Sequence, residues 1–228
     1  MRAQAGVSDV PFPKAVLFDL DGTLLDSAPD MLATVDAMRA ARGRGPMDMA
    51  TLRPVVSKGA RAMTAAAFPD VPADERNAWI PEFLDTYHRE LGKHCTLFDG
   101  IAAMLRALED AGCAWGIVTN KPEYLARDLM PMLGWEARCA VLIGGDSLPE
   151  RKPHPLPLLH AADAMGVAAS DVVYVGDDER DIQAARAAGM KSVVALWGYR
   201  LDNDDPVAWQ GTTMVETPIE LCTADRWP

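Results

Sequence analysis

Short apolar runs that end in polar or glycine-rich turns alternate along this chain with segments of helical periodicity, and few folds satisfy that alternation. "AVLFDL" (residues 15–20), "AWGIVTN" (114–120), "AVLIGG" (140–145), "DVVYVGDD" (171–178) and "SVVAL" (192–196) read as strands buried on both faces. Between them residues 101–111, 123–133, 156–165 and 180–188 read as helices, with Gly112, Gly134, Gly166 and Gly189 placed to end them in the left-handed conformation. Strands joined through helices are crossover connections, so the expected class is α/β with a doubly wound parallel sheet.

Residues 26–95 break the pattern. They are helix-like throughout, rich in Ala, Met and Arg, with no convincing strand. Ser27, Pro29 and Asp30 predict a capping-box start for a helix carrying Met31, Val35 and Met38 on one face. Residues 74–91 form a second candidate helix, which Pro81 kinks or restarts. The simplest organisation is a helical cap, 26–95, inserted into a core of residues 1–25 and 96–228. The alternative is that these helices extend the main domain. The Met and Ala stripe of the cap reads as plain core packing.

A length of 228 residues with 49% hydrophobic content suits one substantial core plus a smaller module. The formal charge of -11 argues against a nucleic-acid or anionic-membrane surface, so a small-molecule partner is expected. Cys95, Cys113, Cys139 and Cys222 form no CxxC pair, and neither a disulfide framework nor structural zinc is expected. His88, His94, His154 and His160 show no metal spacing. Residues 1–13 lack the basic start and apolar run of a secretory signal, and no segment has bilayer length, so the expected location is the cytoplasm.

In an open parallel sheet ligands collect at the carboxyl ends of the strands. Four polar features fall there: Asp19-Leu20-Asp21-Gly22-Thr23, Thr119-Asn120, Lys152-Pro153, and Gly176-Asp177-Asp178 with Asp181 one helical turn on. Singly each has a plainer reading, as a turn, a helix cap, a solvated loop or a helix N-terminus favoured by its dipole. Their order and placement together point to one site. Close like-charged carboxylates repel by roughly 4 kcal/mol at 4 Å in an effective dielectric near 20. A divalent cation relieves this, and an all-oxygen site suits Mg2+. The cation and Lys152 then attract a phosphate ester. Residues i and i+2 of an extended chain face one side, so Asp19 can attack phosphorus while Asp21 acts as acid and then base. Thr119, Asn120 and Lys152 are placed to hold the non-bridging oxygens.

"FDLDGTLLDS", "VTNKP", "KPHPLP" and "VGDDERD" resemble the four ordered motifs of the haloacid dehalogenase superfamily, in its phosphoglycolate-phosphatase-like branch. The resemblance implies a Rossmann-like core with an inserted helical cap. It also implies Asp19 as nucleophile, Asp21 as general acid/base, and Thr119 and Lys152 as phosphate ligands. Mg2+ would be held by the Asp19 carboxylate, the Asp21 backbone carbonyl and Asp177. Asp178 stands where many relatives carry Thr or Ser, so the division of metal binding among Asp177, Asp178 and Asp181 stays open. "SKGARAM", "WGIVTNKP", "GDDERDI" and "GYRLDNDDPVAW" are further similar to the bacterial phosphatases that act on N-acetylmuramic acid 6-phosphate in cell-wall recycling. That substrate is expected first and 2-phosphoglycolate second. Both carry a carboxylate, which Lys58, Gly59 and Arg61 of the cap would meet; a basic pair on a solvated helix start is the competing reading. A dehalogenase is disfavoured because a departing halide has no use for the Asp21 proton. A sugar phosphomutase of the same fold and a phosphoaccepting switch remain as alternatives, although a switch has no need of so long a helical insertion.

Overall fold

The computed structural model describes residues 11–228. The start of the core at residue 1, and most of the stretch read above for a secretory signal, lie outside the described residues. From there the chain runs β1 (Ala15–Phe18), β2 (Leu25–Asp26), α1 (Ala28–Ala40), α2 (Met49–Leu52), α3 (Ala60–Ala67), α4 (Ala73–Ala78), α5 (Ile80–Glu90) and β3 (Thr96–Leu97). It continues through α6 (Ile101–Asp110), β4 (Ala114–Val118), α7 (Glu123–Leu133), β5 (Leu142–Ile143), α8 (Leu156–Ala164), β6 (Val172–Gly176), α9 (Glu179–Ala187), β7 (Lys191–Ala195) and β8 (Thr213–Val215).

Six strands form one parallel sheet in the order β5-β4-β1-β6-β7-β8. Chain order steps outward from β1 to β4 and β5 on one side and through β6, β7 and β8 on the other. The winding therefore reverses at β1, and the crevice outside its carboxyl end is where such sheets bind ligands. Alternation along β1 feeds two layers. Val16 and Phe18 pack with Ile101 and Leu105 of α6 and Leu125 and Leu129 of α7. Ala15 and Leu17 face Leu158 and Ala161 of α8 and Ala184 and Ala185 of α9. The result is the expected doubly wound core, with Gly112, Gly134, Gly166 and Gly189 all at positive φ after their helices.

Several local expectations need correction. The strand read over residues 140–145 shrinks to Leu142–Ile143, although Ala140 N–H and the Val141 carbonyl still bond to β4. β8 was not expected; three residues after a polar tail carry too little periodicity to show it. The chain's two passages between core and cap pair as a short antiparallel ribbon, Leu25 with Leu97 and Asp26 with Thr96. The capping box at Ser27 does not form, since Ser27 makes no side-chain cap and its Oγ is buried without a partner. The Asp30 carboxylate instead accepts from the backbone N–H groups of Gly92, His94 and Cys95. It thereby ties the cap's exit to its first helix. Pro81 restarts the chain: α4 ends at Ala78, and Pro81 enters the first turn of α5, where its missing N–H costs no helical bond. Among the described residues no helix is long and apolar enough to cross a membrane.

Candidate active site

β1 delivers Asp19 to the crevice, nearly buried, with its Oδ1 accepting from Leu20 N–H at 2.8 Å and facing Lys152 Nζ at 3.0 Å. Both contacts end on one oxygen, which leaves Oδ2 for an incoming group. The chain must then turn back sharply. Gly22 does so at φ +85°, and a Cβ there would lie 2.3 Å from an Asp177 oxygen. Glycine after the second Asp is thus required by the backbone and by its neighbour at once.

Asp177, at the end of β6, is fully buried and accepts from Thr23 Oγ1, Ser57 Oγ and Tyr199 N–H, each at 2.9 Å. Burial, and after it the charges of Asp181 and Asp19, push this carboxyl well above its ordinary value. Asp181 is pushed up to about 7 by burial and by Asp19 and Asp178, against the pull of Lys152. Carboxylate oxygens of Asp19, Asp177 and Asp181 all lie within 4.8 Å of one another. Three buried acids this close, with two driven toward the neutral form, make an all-oxygen donor set that a hard divalent cation fits.

Asp178 has other work. It caps α9, receives Arg180 Nε at 2.7 Å, and pairs with Lys58 of the cap at 2.9 Å. Burial opposes its ionisation, but the Arg180 and Lys58 contacts win and hold it down at about 2. The cluster that the geometry gathers therefore contains Asp181 in place of Asp178.

Lys152 is sunk into the same floor. Its Nζ lies 2.7 Å from Asp181 Oδ1 and donates to Tyr174 Oη and the Val118 carbonyl. Burial works against its charge, yet Asp181 and Asp19 outweigh that and raise its pKa. Thr119 Oγ1 accepts from Lys121 N–H at 3.2 Å, so its hydroxyl proton is left to donate. Asn120 Nδ2 donates to the Lys152 carbonyl at 2.9 Å and joins two loops, while its buried Oδ1 has no partner.

Above this floor the cap and core enclose a cavity of about 330 Å³. Although the chain is acidic, Lys58, Arg61, Lys121, Arg151, Lys152 and Arg180 line it against Asp19, Asp21 and Asp181. Its cap side combines Lys58 and Arg61 with an apolar patch of Met31, Val56, Met63, Ile80, Phe83 and Leu84. Gly59 and Arg61 line it as expected. Lys58 does so too, but its ammonium is committed to Asp178 and, at 3.5 Å, to Asp204.

Sequence reasoning missed Lys121, whose Nζ meets both Asp21 oxygens. Its position directly after Thr119-Asn120 at a strand end was the available signal. It also missed Arg180, which reaches the Ser57 carbonyl, and the contacts of Ser57, Thr23 and Tyr199 with Asp177. No local pattern marks these, because each is fixed by a partner distant in the chain.

A carboxylate cluster, a buried lysine and a free hydroxyl converging at the switch point of a parallel sheet, under a helical cap, define a phosphoryl-handling hydrolase site. The chain belongs to the haloacid dehalogenase-like hydrolases: that family's model matches residues 16–195. It is 66% identical over 217 residues to a phosphoglycolate phosphatase of Xanthomonas campestris pv. campestris, covering 95% of this chain and 98% of the relative. It is 46% identical over 213 residues to the N-acetylmuramic acid 6-phosphate phosphatase of Pseudomonas aeruginosa, covering 91% and 92% respectively. Among solved structures, a protein described as a predicted phosphoglycolate phosphatase from Haemophilus somnus superposes with a TM-score of 0.80 at 25% identity, over 91% of this chain and 96% of that one. The protein is a phosphatase of this family.

Proposed function

We propose that this phosphatase hydrolyses N-acetylmuramic acid 6-phosphate through an aspartyl phosphate on Asp19, with Mg2+ as cofactor. Residues 26–95 act as the cap and residues 1–25 with 96–228 as the catalytic core. The observation that carries the substrate assignment is the cavity. Its volume of about 330 Å³ falls at the lower end of the range, roughly 300–1,000 Å³, that engulfs a whole organic ligand. The apolar patch of its cap wall has methyl-bearing substituents to meet in an acetylated, lactyl-bearing sugar and almost nothing to meet in a two-carbon acid. Against this stands the name of the 66% identical relative, which makes 2-phosphoglycolate the second reading.

Asp19, Asp177 and Asp181, with the Asp21 backbone carbonyl, are the groups that would hold Mg2+. When bound, the ion neutralises the carboxylates and draws charge from the phosphoryl oxygens. In the first half-reaction an oxygen of Asp19 attacks phosphorus, the P–O ester bond breaks, and Asp21 gives its proton to the departing sugar oxygen. In the second, water attacks the phosphorus of the aspartyl phosphate while Asp21 takes a proton from it, which frees phosphate and restores Asp19. Thr119 and Lys152 hold the non-bridging oxygens. Asn120 supports them by joining their loops, a smaller role than direct binding. Arg61, without an ion-pair partner among the described residues, meets the substrate carboxylate.

The test is kcat/KM for phosphate release with Mg2+ from the two esters side by side. A preference for the sugar phosphate supports the reading, and a preference for 2-phosphoglycolate replaces it with the second.

A further inference from the structure

Lys121 is one of the buried cations of the cavity that the mechanism above does not use. Its side chain is almost wholly inaccessible, and its Nζ sits 3.1 and 3.0 Å from the two Asp21 oxygens. The same ammonium donates to Tyr87 Oη and lies 4.3 Å from the centre of the Tyr87 ring. Its backbone is pinned as well: Lys121 N–H donates to Thr119 Oγ1, and its carbonyl accepts from Gly145 N–H at 2.8 Å. Tyr87 belongs to α5 of the cap and is itself buried against Phe83. Lys121 therefore joins three things: its backbone N–H holds Thr119, proposed to bind the phosphate, and its ammonium holds both Asp21, proposed to handle the proton, and Tyr87 of the cap.

Two features argue against a mere cross-tie. A desolvated ammonium is a costly way to join a helix to a loop, and apolar packing does that more cheaply. The contact is also symmetric about the Asp21 carboxylate. Bridging both oxygens fixes the carboxylate plane and with it the direction in which the remaining lone pairs of Asp21 face the cavity. A lone aspartate at the mouth of a cavity has two free rotors and no such constraint.

We infer that Lys121 is the positioning residue for Asp21, and that its bond to Tyr87 makes the alignment of Asp21 depend on a seated cap. The inference rests on the acid/base role proposed for Asp21. It predicts a cost that scales with the need for a proton at the leaving oxygen, whereas a structural tie costs every substrate alike.

The experiment is kcat/KM, with Mg2+, for a series of substituted phenyl phosphates whose leaving groups range from weakly to strongly basic. kcat/KM covers the steps through departure of the first product, so slow hydrolysis of the phosphoenzyme does not mask the effect. Lys121→Met is expected to lose on the order of 100-fold with the most basic phenol and under about 3-fold with p-nitrophenol. Its plot against leaving-group basicity is then steeper than wild type. Tyr87→Phe keeps the ring and deletes only the hydroxyl, and its slope is expected between the two. A Lys121→Met line parallel to wild type overturns the inference. Should that variant lack a cooperative thermal transition, a Tyr87→Phe line parallel to wild type overturns it equally. Asp21→Asn in the same series separates the two levels. A steep Asp21→Asn line beside a parallel Lys121→Met line refutes Lys121 alone, while an unchanged Asp21→Asn slope refutes the acid/base assignment beneath it.

Discussion

Asp19 stands at the carboxyl end of β1 with one oxygen held by Leu20 N–H and Lys152 and the other available for attack. Asp19→Asn keeps the shape and removes the nucleophile. It is expected to abolish turnover while the thermal transition stays cooperative, which phosphate-release assays and calorimetry check together; retained activity would remove Asp19 from that role. The neighbouring acids carry a second expectation, about stability. Asp177 is raised well above its ordinary value and Asp181 to about 7, chiefly by burial. The folded metal-free protein therefore binds more protons than the unfolded chain between the ordinary aspartate value and about 7, and its stability falls as pH rises through that window. With a chelator present, the unfolding temperature should be higher at pH 5.5 than at pH 8 on this account. Mg2+ should raise it more at pH 8 than at pH 5.5, where the cluster is partly protonated. Equal Mg2+ shifts at the two pH values would count against the three acids as its ligands. The convergence of Asp19, Asp21, Thr119, Lys152 and Asp177 was legible in the sequence because four of them lie where apolar runs end and Lys152 follows the third run through a short loop. Asp178 and Asp181 were not separable there, since only the first turn of α9 decides which carboxyl caps the helix and which turns inward.

Between elements, the cap is fastened over the core by more than its two strands. Lys58 reaches Asp178 and Asp204, Ser57 donates to Asp177, and Arg180 closes on the Ser57 carbonyl. The segment after β7 joins the same fastening. Gly198 lies so near Asp177 that a Cβ would fall 2.2 Å from the Asp177 Cβ, and Tyr199 Oη accepts from Ala28 N–H and donates to Asp26. Lys58→Ala is expected to cost about 1 kcal/mol of stability, because Asp178 keeps Arg180 as a partner. It should raise KM more than it lowers kcat, as read from steady-state kinetics and thermal melts. The Asp178 carboxyl is depressed, so its contribution to stability is present above the ordinary aspartate value and is lost as pH falls toward about 2. Core helices were readable from 3.6-residue periodicity closed by glycine. The β2–β3 ribbon and β8 were not, because two or three residues carry no period and their partners lie far along the chain.

For the molecule as a whole, the proposed function puts substrate choice where cap meets core, in a cavity whose floor is polar and whose roof carries an apolar patch beside Lys58 and Arg61. Leu84→Arg places a charge in that roof. It is expected to lower kcat/KM for N-acetylmuramic acid 6-phosphate by on the order of 10-fold or more while changing that for p-nitrophenyl phosphate by less than about 3-fold. Parallel kinetics of the two substrates check this, and equal losses would argue that the roof does not touch the sugar. The doubly wound core was predictable from strand–helix alternation, and the insertion from its break at residue 26. The pairing of Lys58 with Asp178, which commits one of the two cap cations that line the cavity, is revealed by no local sequence pattern. On the proposed mechanism a phosphoryl group passes through Asp19. Rapid acid quench of the Mg2+-loaded enzyme mixed with N-acetylmuramic acid 6-phosphate, followed by peptide mass analysis, tests it most directly. A phosphoryl group is expected on the peptide carrying Asp19 during turnover and is expected to be absent in Asp19→Asn. Release of phosphate with that peptide unmodified throughout, or with the label on another aspartate, would contradict it.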